Sequence, residues 1–107
     1  TGLKVMYTEL DINLLRSAGR GADPTAANPY ANGLPDEQQR QLATRYADIF
    51  GLIVKHRNRV SRVTFWGLSD ADSWLNRGRM NHPLLWDRQR QPKPAFHAVV
   101  DVLKRAR

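Results

Sequence analysis

Two carboxylates, Glu9 and Asp11, stand where the apolar, β-prone stretch Val5-Met6-Tyr7 turns acidic, and two tryptophans, Trp66 and Trp74, follow a second such stretch. Side chains alternate along a strand, so a regular strand here puts Val5, Tyr7, Glu9 and Asp11 on one face and Met6, Thr8, Leu10 and Ile12 on the other. A carboxylate at the end of a buried strand is costly unless it is hydrogen-bonded, paired or used in chemistry. In parallel α/β folds the C-terminal ends of strands are where ligands are met. A structural ion pair or a loop-facing acid is the alternative for this acidic pair. The tryptophans offer different chemistry: pyranose C–H faces stack on an electron-rich indole while its N–H donates to a hydroxyl. Core packing is the alternative for Trp66.

The elements that must position these residues follow from pattern. Gly2 to Leu10 predicts a first strand. A connection rich in Gly, Pro, Asn and Ala then runs from Asn13 to Leu34, and loops of that length are commonly functional or mobile. A helix is predicted from Pro35-Asp36-Glu37, with Pro in its first turn and acids where the helix dipole favours them, to about His56. Its core stripe is Leu42, Tyr46, Ile49, Phe50 and Ile53. Val60 to Gly67 predicts a second strand, with Val63 and Phe65 facing one way and Arg62, Thr64 and Trp66 the other. A last helix starts at Pro92-Lys93-Pro94 and shows Phe96, Val99, Val100 and Leu103 at helical spacing. The order strand, helix, strand, helix, with long crossovers, predicts parallel pairing. Two parallel strands alone would leave both outer edges unpaired, so the chain reads as a piece of a larger parallel α/β protein.

Composition bounds the partners. The 107 residues carry 41% hydrophobic content and no cysteine, which excludes disulfides and thiolate metal sites. No apolar run approaches the ~20 residues needed to span a bilayer. The net charge of +7 raises nucleic-acid binding as an alternative. The cations are dispersed, however: Lys55, Arg57, Arg59 and Arg62 surround a helix end, Lys104, Arg105 and Arg107 finish the last helix, and Arg77, Arg79, Arg88 and Arg90 fall in loops. Cations at helix C-termini are favoured by the dipole alone. His56, His82 and His97 lack metal-site spacing and are assigned solvated or packing roles, and no Gly-rich phosphate loop follows either strand, so neither metal nor cofactor is expected.

Several motifs together resemble one family. Tyr7-Thr8-Glu9-Leu10-Asp11-Ile12, Thr64-Phe65-Trp66-Gly67-Leu68-Ser69-Asp70-Ala71-Asp72-Ser73-Trp74, Pro83-Leu84-Leu85-Trp86-Asp87 and Gln91-Pro92-Lys93-Pro94-Ala95-Phe96 occur in the order seen at the C-terminal end of glycoside hydrolase family 10 xylanases. The resemblance covers nearly the whole chain, including Asn28-Pro29-Tyr30. It implies a βαβα fragment of a (β/α)8 TIM barrel, strands 7 and 8 with their helices, residues 1–107 forming the C-terminal portion of one catalytic domain whose other six βα units are absent from the chain.

By the same resemblance the parent is an endo-1,4-β-xylanase that hydrolyses internal xylan bonds with retention. Glu9 is then the nucleophile, Asp11 orients a histidine on a preceding strand beside it, and Trp66 and Trp74 wall the sugar subsites. Retention needs a second carboxyl group about 5–5.5 Å away as general acid/base. Glu37, the other glutamate, stands at a helix start, so that acid is not in this chain and the isolated chain is expected to be inactive. Trp86 is assigned to packing under the last helix. Leu75 stands where many relatives carry arginine. The implied partners are xylan or xylo-oligosaccharide and the missing part of the barrel or another copy, with no nucleic acid and no membrane, and the implied location is secreted or periplasmic. A non-catalytic carbohydrate-binding module that kept the tryptophans is the other alternative.

Overall fold

A computed structural model describes residues 2–15 and 28–106. Its elements are β1 (Val5–Leu10), α1 (Asp36–Lys55), β2 (Val60–Phe65) and α2 (Pro94–Arg105), with two short 3-10 turns, Asp70–Asp72 and Trp74–Asn76, between β2 and α2. The two strands pair in parallel, as the long crossovers require. The predicted loop from Asn13 to Leu34 lies largely outside the described residues. Its described end forms a turn in which Ala31 N–H donates to Asn28 O and Gly33 N–H to Tyr30 O.

Helix α1 begins one residue after Pro35, whose carbonyl accepts the Gln39 N–H at 2.9 Å. No side chain caps this end. Asp36 and Glu37 meet the positive end of the dipole, and Glu37 binds Arg40 at 2.7 Å. The helix buries Leu42, Tyr46 and Phe50. These meet Leu85, Ala95 and Val99, with Leu10, Ile12, Val63 and Phe65 from the strand layer packed against them. Phe50 stacks on Phe65 with centroids 5.9 Å apart. Helix α2 starts at Pro94, where the missing N–H leaves nothing unsatisfied. It turns Ala95, Val99 and Val102 inward rather than Leu103, which is 45% exposed. Leu103 lies in the last turn of the helix, which ends at Arg105.

Strand β1 departs most from expectation. It is exposed along Val5 to Glu9, with Leu10 alone half-buried. It is also irregular, for the pairing with β2 slips between Val5 and Met6 and again between Tyr7 and Leu10. Val5, Tyr7 and Leu10 line one depression with Ile49, Leu52 and Ile53 of α1, so all three lie on the helix side. A spacing of two and then three residues means that the second slip reverses the alternation, the effect of a β-bulge. The strict alternation that would set Val5, Tyr7, Glu9 and Asp11 on one face is therefore broken between Tyr7 and Leu10. Leu10 and Ile12 pack against the helix layer.

Candidate active site

The bulge settles where the first acid goes. Had the strand continued with strict alternation from Val5 and Tyr7, Glu9 would lie beneath α1. Instead the slip between Tyr7 and Leu10 breaks that alternation, and Glu9 is exposed. The Trp66 backbone N–H donates to the carbonyl of Leu10 at 3.0 Å, which seats the first residue after β2 against the residue between the two acids. Trp66 is about half exposed, at 47%. The chain turns sharply after it at Gly67, where φ is +142° and a Cβ would stand 2.8 Å from Leu84 Cδ1. Only glycine meets both conditions without strain.

Trp74 is also half exposed. Its indole N–H donates to Asp11 Oδ2 at 2.8 Å. The N–H that sequence reasoning left free for a sugar hydroxyl is thus used inside the protein, and Trp74 presents its ring rather than its polar edge. The Arg77 guanidinium stands 4.5 Å from the Trp74 ring centroid, a cation–π contact made from a left-handed backbone at φ +40°. The pair Glu9–Asp11 and the pair Trp66–Trp74 are therefore brought to one end of the sheet. Trp86 is placed elsewhere, against Phe96 of α2 with centroids 5.0 Å apart.

Beneath the tryptophans lies a network that the sequence motifs did not reveal. Asp70 is fully buried and accepts from Lys93 Nζ at 2.8 Å and from the Leu84 N–H at 2.8 Å. Lys93, 3% exposed, also donates to His82 O at 2.8 Å. Burial pushes the Asp70 carboxyl above the usual carboxylate range and the Lys93 ammonium below its own, while their mutual attraction opposes both shifts. His82 is buried as well, with Nε2 3.0 Å from Tyr30 O. Tyr46 donates its hydroxyl to Pro83 O, and burial raises the Tyr46 phenol far above its ordinary value. The one signal available in the sequence was Lys93 between two prolines, a charged residue at a helix start where the dipole disfavours it.

A cavity of about 570 Å³ opens on the other side of Asp11, lined by Asn13, Tyr30, Gln41 and Arg45 among others. It contains neither tryptophan nor Glu9, so it is distinct from the indole wall. Among the described residues no His, Asp or Glu cluster is arranged to hold a metal ion.

An acidic pair and two half-exposed tryptophans are thus brought to one end of a parallel strand pair in an α/β protein. The sequence pattern of the Glycosyl hydrolase family 10 family matches residues 1–102. A thermostable celloxylanase of Thermoclostridium stercorarium is 40% identical over 103 residues, which are 94% of this chain and 25% of that protein. A GH10 endoxylanase retrieved from a sugarcane soil metagenome superposes with a TM-score of 0.83 at 42% identity, over 94% of this chain and 31% of that one. A further structure, a complex with xylotriose, matches with a TM-score of 0.76 at 30% identity, over 94% of this chain and 30% of that one. The chain belongs to glycosyl hydrolase family 10, and membership implies that it is part of a (β/α)8 barrel. It spans about a quarter to a third of the length of these relatives.

Proposed function

We propose that the chain supplies strands 7 and 8, with their helices, to the catalytic barrel of a retaining endo-1,4-β-xylanase, as the C-terminal portion of that domain. One observation carries the proposal: exposed Glu9 stands near the C-terminal end of β1 two residues before Asp11, the Trp66 backbone N–H bonds the carbonyl of Leu10 between them, and the Trp74 indole bonds Asp11. Xylo-oligosaccharide is the substrate class in keeping with the xylotriose bound by one relative.

In this mechanism the Glu9 carboxylate attacks the anomeric carbon as the glycosidic C–O bond breaks. A carboxylic acid from elsewhere in the barrel protonates the departing oxygen. The same group then takes a proton from water, whose oxygen displaces Glu9 and restores the original configuration. Trp66 and Trp74 hold the sugar by stacking, and Asp11 holds Trp74. The chain by itself supplies one of the two carboxyl groups and is inactive alone. A polymer substrate of this kind goes with a secreted or periplasmic location.

The test is Glu9→Ala in the complete barrel. Xylan hydrolysis is abolished while xylotriose binding, followed by calorimetry, is retained. Turnover near that of the unaltered enzyme would remove Glu9 from the role.

A further inference from the structure

We infer that Asn81 is the positioning residue that sets the distance between the acidic end of β1 and the indole wall. This inference rests on the proposed sugar site, and it concerns how that site is held rather than what reacts in it.

Asn81 is 1% exposed, and every hydrogen-bonding position of its amide is used. Its Nδ2 donates to Asn13 Oδ1 at 2.7 Å and to Leu75 O at 3.3 Å. Its Oδ1 accepts from Leu14 N–H at 3.3 Å and from its own neighbour His82 N–H at 2.9 Å. Reversing the amide would aim N–H groups at two backbone N–H groups and its oxygen at two acceptors, so only one orientation is tenable. The backbone of Asn81 is clamped too: its N–H donates to Asn76 Oδ1 at 3.0 Å, and its carbonyl accepts from Arg88 at 3.2 Å. Asn76 in turn donates to Asp70 O at 2.8 Å, which ties the cluster to the buried Asp70–Lys93 pair.

What Asn81 joins is specific. Asn13 lies just past Asp11 on the β1 exit, and Leu75 directly follows Trp74. The Trp74–Asp11 bond links the same two segments a second time. Two cross-links between the same two stretches close a ring, and a ring resists the sliding that a single bond permits. Glu9 and Trp66 are already tied through Leu10. Asn81 therefore fixes the second indole relative to the nucleophile without touching substrate.

The experiment compares variants of the complete barrel with Phe50→Leu, a core change remote from this loop that lowers the melting temperature. Asn81→Ala removes both sets of bonds. Asn81→Asp keeps the acceptors for Leu14 and His82 but turns the donors to Asn13 and Leu75 into repulsive contacts. Asn13→Ala removes the far end at an exposed position, along with the 3.0 Å bond from Leu15 N–H. At a temperature where all are folded, all three variants lower kcat on xylan, Asn81→Asp on the order of 10²-fold. The Trp74 indole N–H resonance exchanges faster with solvent, and Asn13→Ala adds little to Asn81→Asp. Phe50→Leu leaves kcat within about twofold and the indole unchanged. Equal behaviour of the Asn81 variants and Phe50→Leu in kcat and in indole exchange overturns the inference. Hydrolysis surviving Glu9→Ala overturns the sugar-site assignment instead, and the indole exchange still reports whether Asn81 holds Trp74 to Asp11.

Discussion

Asp11 and Trp74 exemplify what pairs of residues decide in this protein. Sequence reasoning assigned Asp11 to orient a neighbour and Trp74 to stack on sugar. The structure adds that the two hold each other through the indole N–H. Trp74→Ala removes the stacking surface and is expected to weaken xylotriose binding by about 1–3 kcal/mol, by analogy with other aromatic stacking. Calorimetry in the Glu9→Ala background measures that loss without turnover. Glu37 shows a second local effect: hydrogen bonds from Arg40 and Gln41 hold its carboxyl below the ordinary glutamate range. A lowered folded value means that the folded state binds fewer protons than the unfolded one as pH falls. The small contribution to α1 is thus fully present above the unfolded value and is lost as pH drops through the folded one. NMR titration of the Glu37 carboxyl is expected to show the depressed midpoint, and Arg40→Ala to return it toward the ordinary value.

At the scale of elements, both helices and both strands were legible in place, while the alternation of the first strand was not. Leu42, Tyr46 and Phe50 repeat with the helical period, and that period has no competitor over twenty residues. Phe50→Ala is expected to cost about 3–5 kcal/mol in chemical denaturation, since it empties a site stacked on Phe65. Strand alternation is easier to lose. One slip between Tyr7 and Leu10 reverses every face beyond it, and no residue type in Val5–Leu10 announces it. The link between β2 and α2 is organised around Asp70 and Lys93. Lys93→Met leaves the Asp70 carboxylate buried and unpaired, at an expected cost of about 3–5 kcal/mol. Asp70→Asn/Lys93→Met is expected to cost less than the sum of the single changes, and a double-mutant cycle of denaturation free energies checks it.

At the scale of the whole molecule, β1 has an open edge among the described residues. Leu3 is 75% exposed, and Val5, Met6 and Tyr7 are about half exposed, along a strand that only β2 pairs among the described residues. An open parallel edge of this kind is a template for further strands. Supplied as a separate polypeptide to the six preceding βα units, the chain is expected to restore xylan hydrolysis that neither part shows alone. Release of reducing sugar is the measure. Failure to complement by a mixture shown to associate would count against the shared active site.

The sequence by itself determined the order of elements, the parallel pairing, the stripe of the first helix and the family. Each of these depends on residue types at short, periodic or motif spacing. Only the tertiary structure decided that the alternation of β1 breaks after Tyr7, that the Trp74 N–H belongs to Asp11, and that Asn81 and Asp70 are buried in hydrogen-bonded clusters. Those depend on a bulge and on hydrogen bonds between residues far apart in the chain, such as Asn13 with Asn81 and Asp70 with Lys93. A polar side chain carries no mark of its distant partner. Its partner is chosen by the packing that leaves the two buried together.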